Sequence, residues 1–464
     1  MPDSSSQNEA KKLLRQLEDD LEAKKSSDGQ LRAALDGLKV LGRDSNNVSA
    51  LYNEAGVKVL GAYAFGEYPS SVHQEALRCL ANALLLLPIT RQHSISLGLD
   101  RKATDALESA SLDEEFLLSR MLFLLTYDPR IDLQILLDEH KLAEKITKLL
   151  NRHVAKSKTT STTNPDSAAL QETLKLLFNV TSGAPSHRVS FVSAIHPLFQ
   201  LLNQLPTSSP PLKPPTGLIV NALANIDFDE TSDEDTDLAS GLDKLIDLLS
   251  SAVTTYSPTE LETSVVPLLT TLRNANVKAS PDMRSRLKNR LLPDDEERNQ
   301  PLGKSSSLAS QLLRLTTSTG LTNLSEAISG LMFELSDKDA SQYVHNVGYG
   351  YAAGYLMTHK IPIPESAKTT QQQRGSSRSS NGGNGGESSR TTVPVNPITG
   401  QRLDAEPAVQ VPEMSREEAE REAERLFVLF ERLKATGVAN VTNPLQQAVE
   451  EGRLQELSDS DDSD

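Results

Sequence analysis

The sequence predicts an all-α fold: a right-handed armadillo/HEAT-like α-solenoid, followed by a disordered linker and a separate C-terminal amphipathic helix. Three observations carry that expectation. The first is a recurring motif, Leu77-x-x-Leu80-x-Asn82, which returns as Leu174-x-x-Leu177-x-Asn179, Val220-x-x-Leu223-x-Asn225 and Leu269-x-x-Leu272-x-Asn274. A degenerate copy stands at Met121-x-x-Leu124-x-Thr126 and a sixth at Ile328-x-x-Leu331-x-Phe333. The first five polar positions follow one another at about 44, 53, 46 and 49 residues, near the roughly 40 to 47 of such arrays. The second is composition: aromatics are only 4% and Trp is absent, while Leu and Ala fill the apolar runs, which suits helix-on-helix packing. The third is the single long stretch, 366–393, that is built of Ser, Gly, Gln and Asn and has nothing to bury.

In chain order, residues 1–8 are expected to be disordered, and 9–365 to form the array. Polar or Pro-rich interruptions at 159–166, 204–216 and 228–237 are read as loops inside it, because hydrophobic periodicity resumes after each. The last of these is a dense acidic loop. Loop-like sequence at 293–307 accounts for the longer step to the sixth copy. After the linker, 394–456 is expected to be helical. There Ser415-Arg-Glu-Glu418 is a capping box, Ala419, Ala423, Leu426, Phe427, Phe430 and Leu433 form one apolar stripe, and Gly437 supplies a left-handed stop. Residues 457–464 are an acidic tail.

Apolar residues three apart share a helix face and bury against neighbouring repeats, whereas the residue two further on points elsewhere. Asn82, Asn179, Asn225 and Asn274 are therefore expected to line a groove as a ladder. Each carries a donor and an acceptor able to hold another chain's backbone. The competing reading makes each Asn a helix-end cap or a tight contact.

Lys and Arg number 47 against 63 Asp and Glu, a net charge of −16 and a pI near 5.1, which argues against nucleic acid as a partner. The basic run Arg284, Arg286, Lys288, Arg290 reads first as an exposed helix face and second as a rim for an acidic partner. Cys79 is the only cysteine and sits in a Leu-rich segment, so burial as a small apolar residue is expected. The start of the chain lacks a signal-like apolar region, and the longest apolar run, 81–89, is too short to span a bilayer. A soluble, reduced, cytoplasmic monomer is expected.

Gly348-Tyr-Gly350-Tyr-Ala-Ala-Gly354 resembles a dinucleotide-binding turn but lacks the buried strand before it, so a tight turn with close helix packing is favoured. Gly303-Lys304-Ser305 resembles the end of a phosphate loop, yet Arg298 stands where its first glycine belongs. The eight histidines are scattered, and Asp113-Glu114-Glu115 suits a helix start. No catalytic residue, metal or cofactor is expected. Ser232 and Ser458 each have an acid three residues on, and together with Ser460 they are phosphorylation candidates.

At Glu172-Thr-Leu-Lys-Leu-Leu-Phe-Asn-Val-Thr181, Asn346-Val-Gly-Tyr-Gly-Tyr-Ala-Ala-Gly354, Asn396-Pro-Ile-Thr-Gly400 and Glu420-Arg-Glu-Ala-Glu-Arg-Leu-Phe-Val-Leu-Phe-Glu-Arg-Leu433 the chain resembles the synembryn family. Leu41-Gly-Arg-Asp44 and Arg120-Met-Leu-Phe-Leu-Leu-Thr126 extend the ordered set. The family comprises non-receptor exchange factors and folding chaperones of heterotrimeric G protein α subunits (Gα). The resemblance implies an array whose groove takes the C-terminal helix of GDP-bound or nucleotide-free Gα. It also implies a distal helix, with Leu426, Phe427 and Phe430, that touches the nucleotide domain, and peripheral recruitment to the plasma-membrane cortex through Gα. Arg43, Asn82 and Asn179 fall in matching motifs as candidates for holding the partner helix. Arg273 and Arg314, beside repeat motifs, are added as cations for its terminal carboxylate. Animal members carry an acidic, kinase-modified stretch where this chain has its neutral linker, so phosphorylation is expected at the three serines instead, or not to activate. Two rivals stand: an armadillo-type cargo or scaffold adaptor, whose groove ordinarily uses the Trp that this chain lacks, and an oxidoreductase built on the glycine-rich turn.

Overall fold

A computed structural model describes residues 4–44, 47, 49, 51–159, 168–228, 236–362, 395, 396, 398–406, 421 and 425. The first repeats comprise α1 (Ser4–Ala23), α2 (Asp28–Leu41), α3 (Glu54–Phe65), α4 (Ser70–Leu86), α5 (Ile89–Ser96), α6 (Leu99–Ala106) and α7 (Leu112–Leu125). The middle holds α8 (Leu133–Asp138), α9 (Leu142–Thr159), α10 (Ala168–Gly183), α11 (Ile195–Gln204), α12 (Thr216–Ala224) and α13 (Thr236–Thr255). Then come α14 (Pro258–Ser264), α15 (Val266–Lys278), α16 (Pro281–Leu291), α17 (Leu308–Thr316), α18 (Thr322–Leu335), α19 (Ala340–Val347) and α20 (Tyr349–Thr358). Among the described residues the only β-type pairing is an isolated antiparallel bridge between Val395 and Arg402.

Local sequence starts these helices. Ser111 and Glu114 form a capping box on α7, as do Ser27 with Gln30 on α2 and Ser257 with Glu260 on α14. Asn53, Ser307 and Asp339 accept from the free amides of Gly56, Ser310 and Gln342.

Packing sorts the helices into rows. The motif helices form one continuous row, in which α2 packs on α4, then α7, α10, α12, α15 and α18 in turn. A second row covers it from α9 through α11 to α13, with α16 and α17 against α13. The apolar pairs of all six motif copies lie in the seam and are at most 4% exposed. No single repeat can bury such a pair alone, so stacking is what holds the unit together. The fold is thus the expected all-α solenoid.

The boundaries differ from expectation in two places. Helix α1 begins at Ser4, within the 1–8 segment expected to be disordered, and it turns Ala10 and Leu17 into the core. The compact unit containing the array runs to Ala405, and Glu406–Asp464 form the other unit. Residues 395–405, expected to belong to a helical segment, instead make the bridge, a turn and the 3-10 element Leu403–Ala405. Asn396 explains this. Its side-chain Oδ1 accepts from the amides of Ile398 and Thr399, a local competitor to helix.

Leu177, fully buried on α10 between α7 and α12, is representative of the seam. Leu177→Ala should lower stability by about 2–5 kcal/mol, read from the urea midpoint at unchanged slope.

Candidate functional site

The motif asparagines all do the same thing: each reaches back to the C-terminal end of the preceding helix in its row. Asn82 Nδ2 donates to Lys39 O of α2 at 3.5 Å, and Asn179 Nδ2 to Thr126 Oγ1 at 2.8 Å. Asn225 Nδ2 donates to Ser182 Oγ at 2.7 Å, and Asn274 Nδ2 to Ala224 O at 3.2 Å. Thr126, the degenerate copy, is itself the cap of α7 and donates to Phe123 O. Helix ends leave four carbonyls without an intrahelical partner, and the ladder satisfies some of them or orders the hydroxyls beside them. The amide half of each Asn is therefore spent inside the array. The four side chains remain half-buried, and among the described residues no hydrogen bond to their Oδ1 atoms is formed.

The asparagines belong to longer polar stripes. Glu75, Arg78 and Asn82 lie at i, i+3 and i+7 on α4, and Glu172, Lys175 and Asn179 repeat that spacing on α10. Glu75 is nearly buried and takes Lys39 of α2 at 2.8 Å as well as its own Arg78 at 2.6 Å. Glu172 takes Arg120 of α7 at 3.2 Å and Lys175 at 2.9 Å. Glu334 of α18 receives Arg273 of α15 at 3.1 Å in the same sense. Along the row, a buried acid thus anchors a cation from the previous helix, largely covered in Lys39 and partly exposed in Arg120 and Arg273. Asp36 and Glu75 together raise the Lys39 ammonium above its ordinary pKa. Beside this line, Phe178 and Tyr127 are exposed next to Asn179 and Thr126.

Deeper in the row, Glu115 joins three helices. Its carboxylate accepts from His153 Nε2 at 2.9 Å and Thr173 Oγ1 at 2.8 Å, and is also bonded by Arg152. Ser119 Oγ closes the cluster on Thr173 at 3.0 Å. Burial pushes the Glu115 carboxyl up, but hydrogen bonding and charge from His153, then Thr173 and Arg152, outweigh it and hold the group below the usual glutamate range. The sequence marks Glu115 only as part of a helix start; the signal for more is its place directly before the apolar run 116–118.

The remaining candidates are placed as follows. Arg43 is exposed in the turn after α2. Arg273 is half-exposed but already paired with Glu334. Arg314 donates to the carbonyls of Gly303 at 2.7 Å and Ser305 at 2.9 Å, so it braces the loop before α17, and its guanidinium is engaged there. Three of the four cations of the basic run are paired: Arg286 and Arg290 with Asp243, Arg290 also with Asp247, and Lys288 with Asp337, while Arg284 donates to Ala279 O, which favours the exposed-face reading. The glycine-rich turn follows helix α19, with Gly348 at φ +80°. That excludes the strand a dinucleotide turn needs. Cys79 is buried and its thiol is pushed up by burial. Among the described residues no group of His, Cys, Asp or Glu is arranged to hold a metal, and no helix is long and apolar enough to cross a membrane. Leu426, Phe427, Phe430, Ser232, Ser458 and Ser460 lie outside the described residues.

Comparison with known proteins gives a consistent result. The family profile of the guanine nucleotide exchange factor synembryn matches residues 34–453. A synembryn-like chaperone of Schizosaccharomyces pombe is 31% identical over 220 residues, which are 46% of this chain and 38% of that protein. The chain thus spans well under half the length of that relative. The chaperone Ric-8A of Macaca fascicularis is 24% identical over 478 residues, covering 93% of this chain and 87% of its own. Among solved structures, an engineered protein aligns over 79% of this chain and 85% of its own with a TM-score of 0.41 and 16% identity.

Two expected outcomes test the geometry. Asn179→Ala should cost about 1 kcal/mol, and a double-mutant cycle with Thr126→Val should show that the two losses are coupled. Glu115→Gln should cost about 1–3 kcal/mol at pH 7, since it weakens a buried, charge-assisted cluster. Because the folded carboxyl titrates below the ordinary glutamate value, its contribution is complete above about pH 4.5 and is lost as pH falls through the depressed value. The gap between variant and wild type should therefore close in acid, as read by urea denaturation at stepped pH.

Proposed function

The chain belongs to the family of the guanine nucleotide exchange factor synembryn, and on that premise we propose that it is an exchange factor and folding chaperone for Gα. It receives the Gα C-terminal helix along the motif row and stabilises the nucleotide-free form. The observation that carries this reading is the family match over 34–453, which takes in every motif helix from α4 to α18. What supports the placement is the line of half-buried asparagines that keep an acceptor available, with exposed Phe178 and Tyr127 beside them. Half-exposed Arg78, Arg120 and Lys175 accompany them, each held by a buried glutamate. An amphipathic helix would find apolar contact from the aromatics, and its terminal carboxylate would find the cations.

Exchange by this route needs no acid or base. A partner that binds empty Gα more tightly than loaded Gα must weaken nucleotide affinity by the same factor. GTP, bound strongly with Mg²⁺ by Gα itself, then displaces the exchange factor. Chaperoning follows from mass action, since a ligand of the native-like state and not of the unfolded chain stabilises the former.

Release of labelled GDP from purified Gα is expected to accelerate in the presence of this protein and not when Gα lacks its last helix. An unchanged rate with intact Gα overturns the exchange reading. Asn82→Ala and Asn179→Ala should each weaken Gα binding by about 1–3 kcal/mol, measured by calorimetry.

A further inference from the structure

The two glycine-bearing motifs, 346–354 and 396–400, are far apart in sequence and meet in space. Gly350 N–H donates to Ile398 O at 3.1 Å, and Leu302 N–H donates to Thr399 O at 3.0 Å. Arg402 N–H donates to Arg298 O at 2.7 Å, and Gln401 Nε2 to Asn299 O at 3.2 Å. Arg298, only 4% exposed, sits between the two motifs: its guanidinium donates to His345 O at 3.0 Å, Asn346 O at 3.1 Å and Gly400 O at 3.1 Å. Segment 395–405 also holds itself, with Gly400 N–H on Asn396 O at 2.8 Å and Asn396 N–H on Gln401 O at 2.6 Å.

The glycines are required by this close approach. A Cβ on Gly348 would stand 3.1 Å from Ile398 O, and one on Gly400 would stand 2.3 Å from Leu302 Cδ1. Both glycines have positive φ, +80° and +68°, which a side chain would strain.

We propose that residues 395–405 are a positioning clasp for nucleotide exchange: docked on the last repeat, they fix the point at which the chain leaves the array, and release of nucleotide from Gα depends on that fixed point. The inference rests on the exchange reading above. Without the clasp the following residues would be tethered at 362 through some 40 residues. A Gly/Ser/Gln-rich stretch of that length spreads over a root-mean-square distance of roughly 35 Å, and effective concentration falls accordingly. The clasp's hydrogen bonds described above join it to residues 298–302 and 350 and not to a motif helix, so it should act on exchange and not on capture of the Gα helix.

The test uses the full chain with Gly400→Val, and Asn396→Ala as a milder second variant that leaves the array's own residues untouched. Hydrogen exchange at the amides of Leu302 and Gly350, whose partners lie in the clasp, should speed up about tenfold or more. The Ala184 amide, bonded to Val180 O at the end of α10 and remote from the clasp, is the internal control and should not change. Nucleotide release from Gα should slow several-fold, while affinity for a peptide of the last Gα helix stays within about twofold. Opened amides with wild-type release rates would overturn the proposal, as would an equal loss of peptide affinity, which would mark a merely structural role. Amides that stay protected in both variants would overturn the clasp itself. If the wild-type protein fails to accelerate release, the exchange reading falls first, and the wild-type arm shows this before any variant is compared.

Discussion

The seam between successive motif helices is the constraint on which the rest depends. A helix carrying Leu-x-x-Leu on one face has no second face with which to build a core of its own, so its apolar pair is buried only when a neighbour lies alongside. Every other feature is arranged around that obligation. The second row of helices covers the seam, the buried glutamates pull cations across it, and the asparagines close it at the helix ends. Since the contacts are mainly between neighbours, a weakness in one seam is felt by two repeats.

The polar groups in the seam are instructive because burying charge is ordinarily costly. Glu75, Glu172 and Glu334 avoid that cost by accepting from a cation whose far side remains in water. Glu115, itself fully enclosed, takes three donors at once, His153 and Arg152 from α9 and Thr173 from α10, of which only Arg152 reaches solvent. A fully enclosed carboxylate with a complete set of partners specifies one geometry between three helices, where apolar contacts alone would tolerate sliding.

Much of the fold was legible in the sequence because repetition amplifies a weak signal. One Leu-x-x-Leu-x-Asn is unremarkable, whereas four copies and two degenerate ones locate the row helices and their order. The role of the asparagines was only half legible. Spacing places them off the apolar face, but whether an amide turns to a neighbouring helix or away from it depends on how far the next helix extends, and sequence does not carry that. In sequence Glu115 is indistinguishable from the helix-start acids Asp113 and Glu114 beside it, since one residue of rotation separates solvent from core. The engagement of Arg314 is hidden for another reason: the carbonyls of Gly303 and Ser305 belong to a loop whose path is set by packing. The course of segment 395–405 is not legible locally because its partners, Arg298 and Gly350, are distant in the chain.

Docking of Gly400 and its neighbours on the last repeat also turns the preceding interval into a closed loop. The chain between 362 and 395 is held at both ends by the same body, so lengthening it changes only the entropy of closing a loop, about 0.6 kcal/mol per doubling. Insertions there are nearly neutral to stability. An insertion or a change of charge across that interval leaves the anchor in place, because its own backbone bonds, and not what precedes it, hold it there.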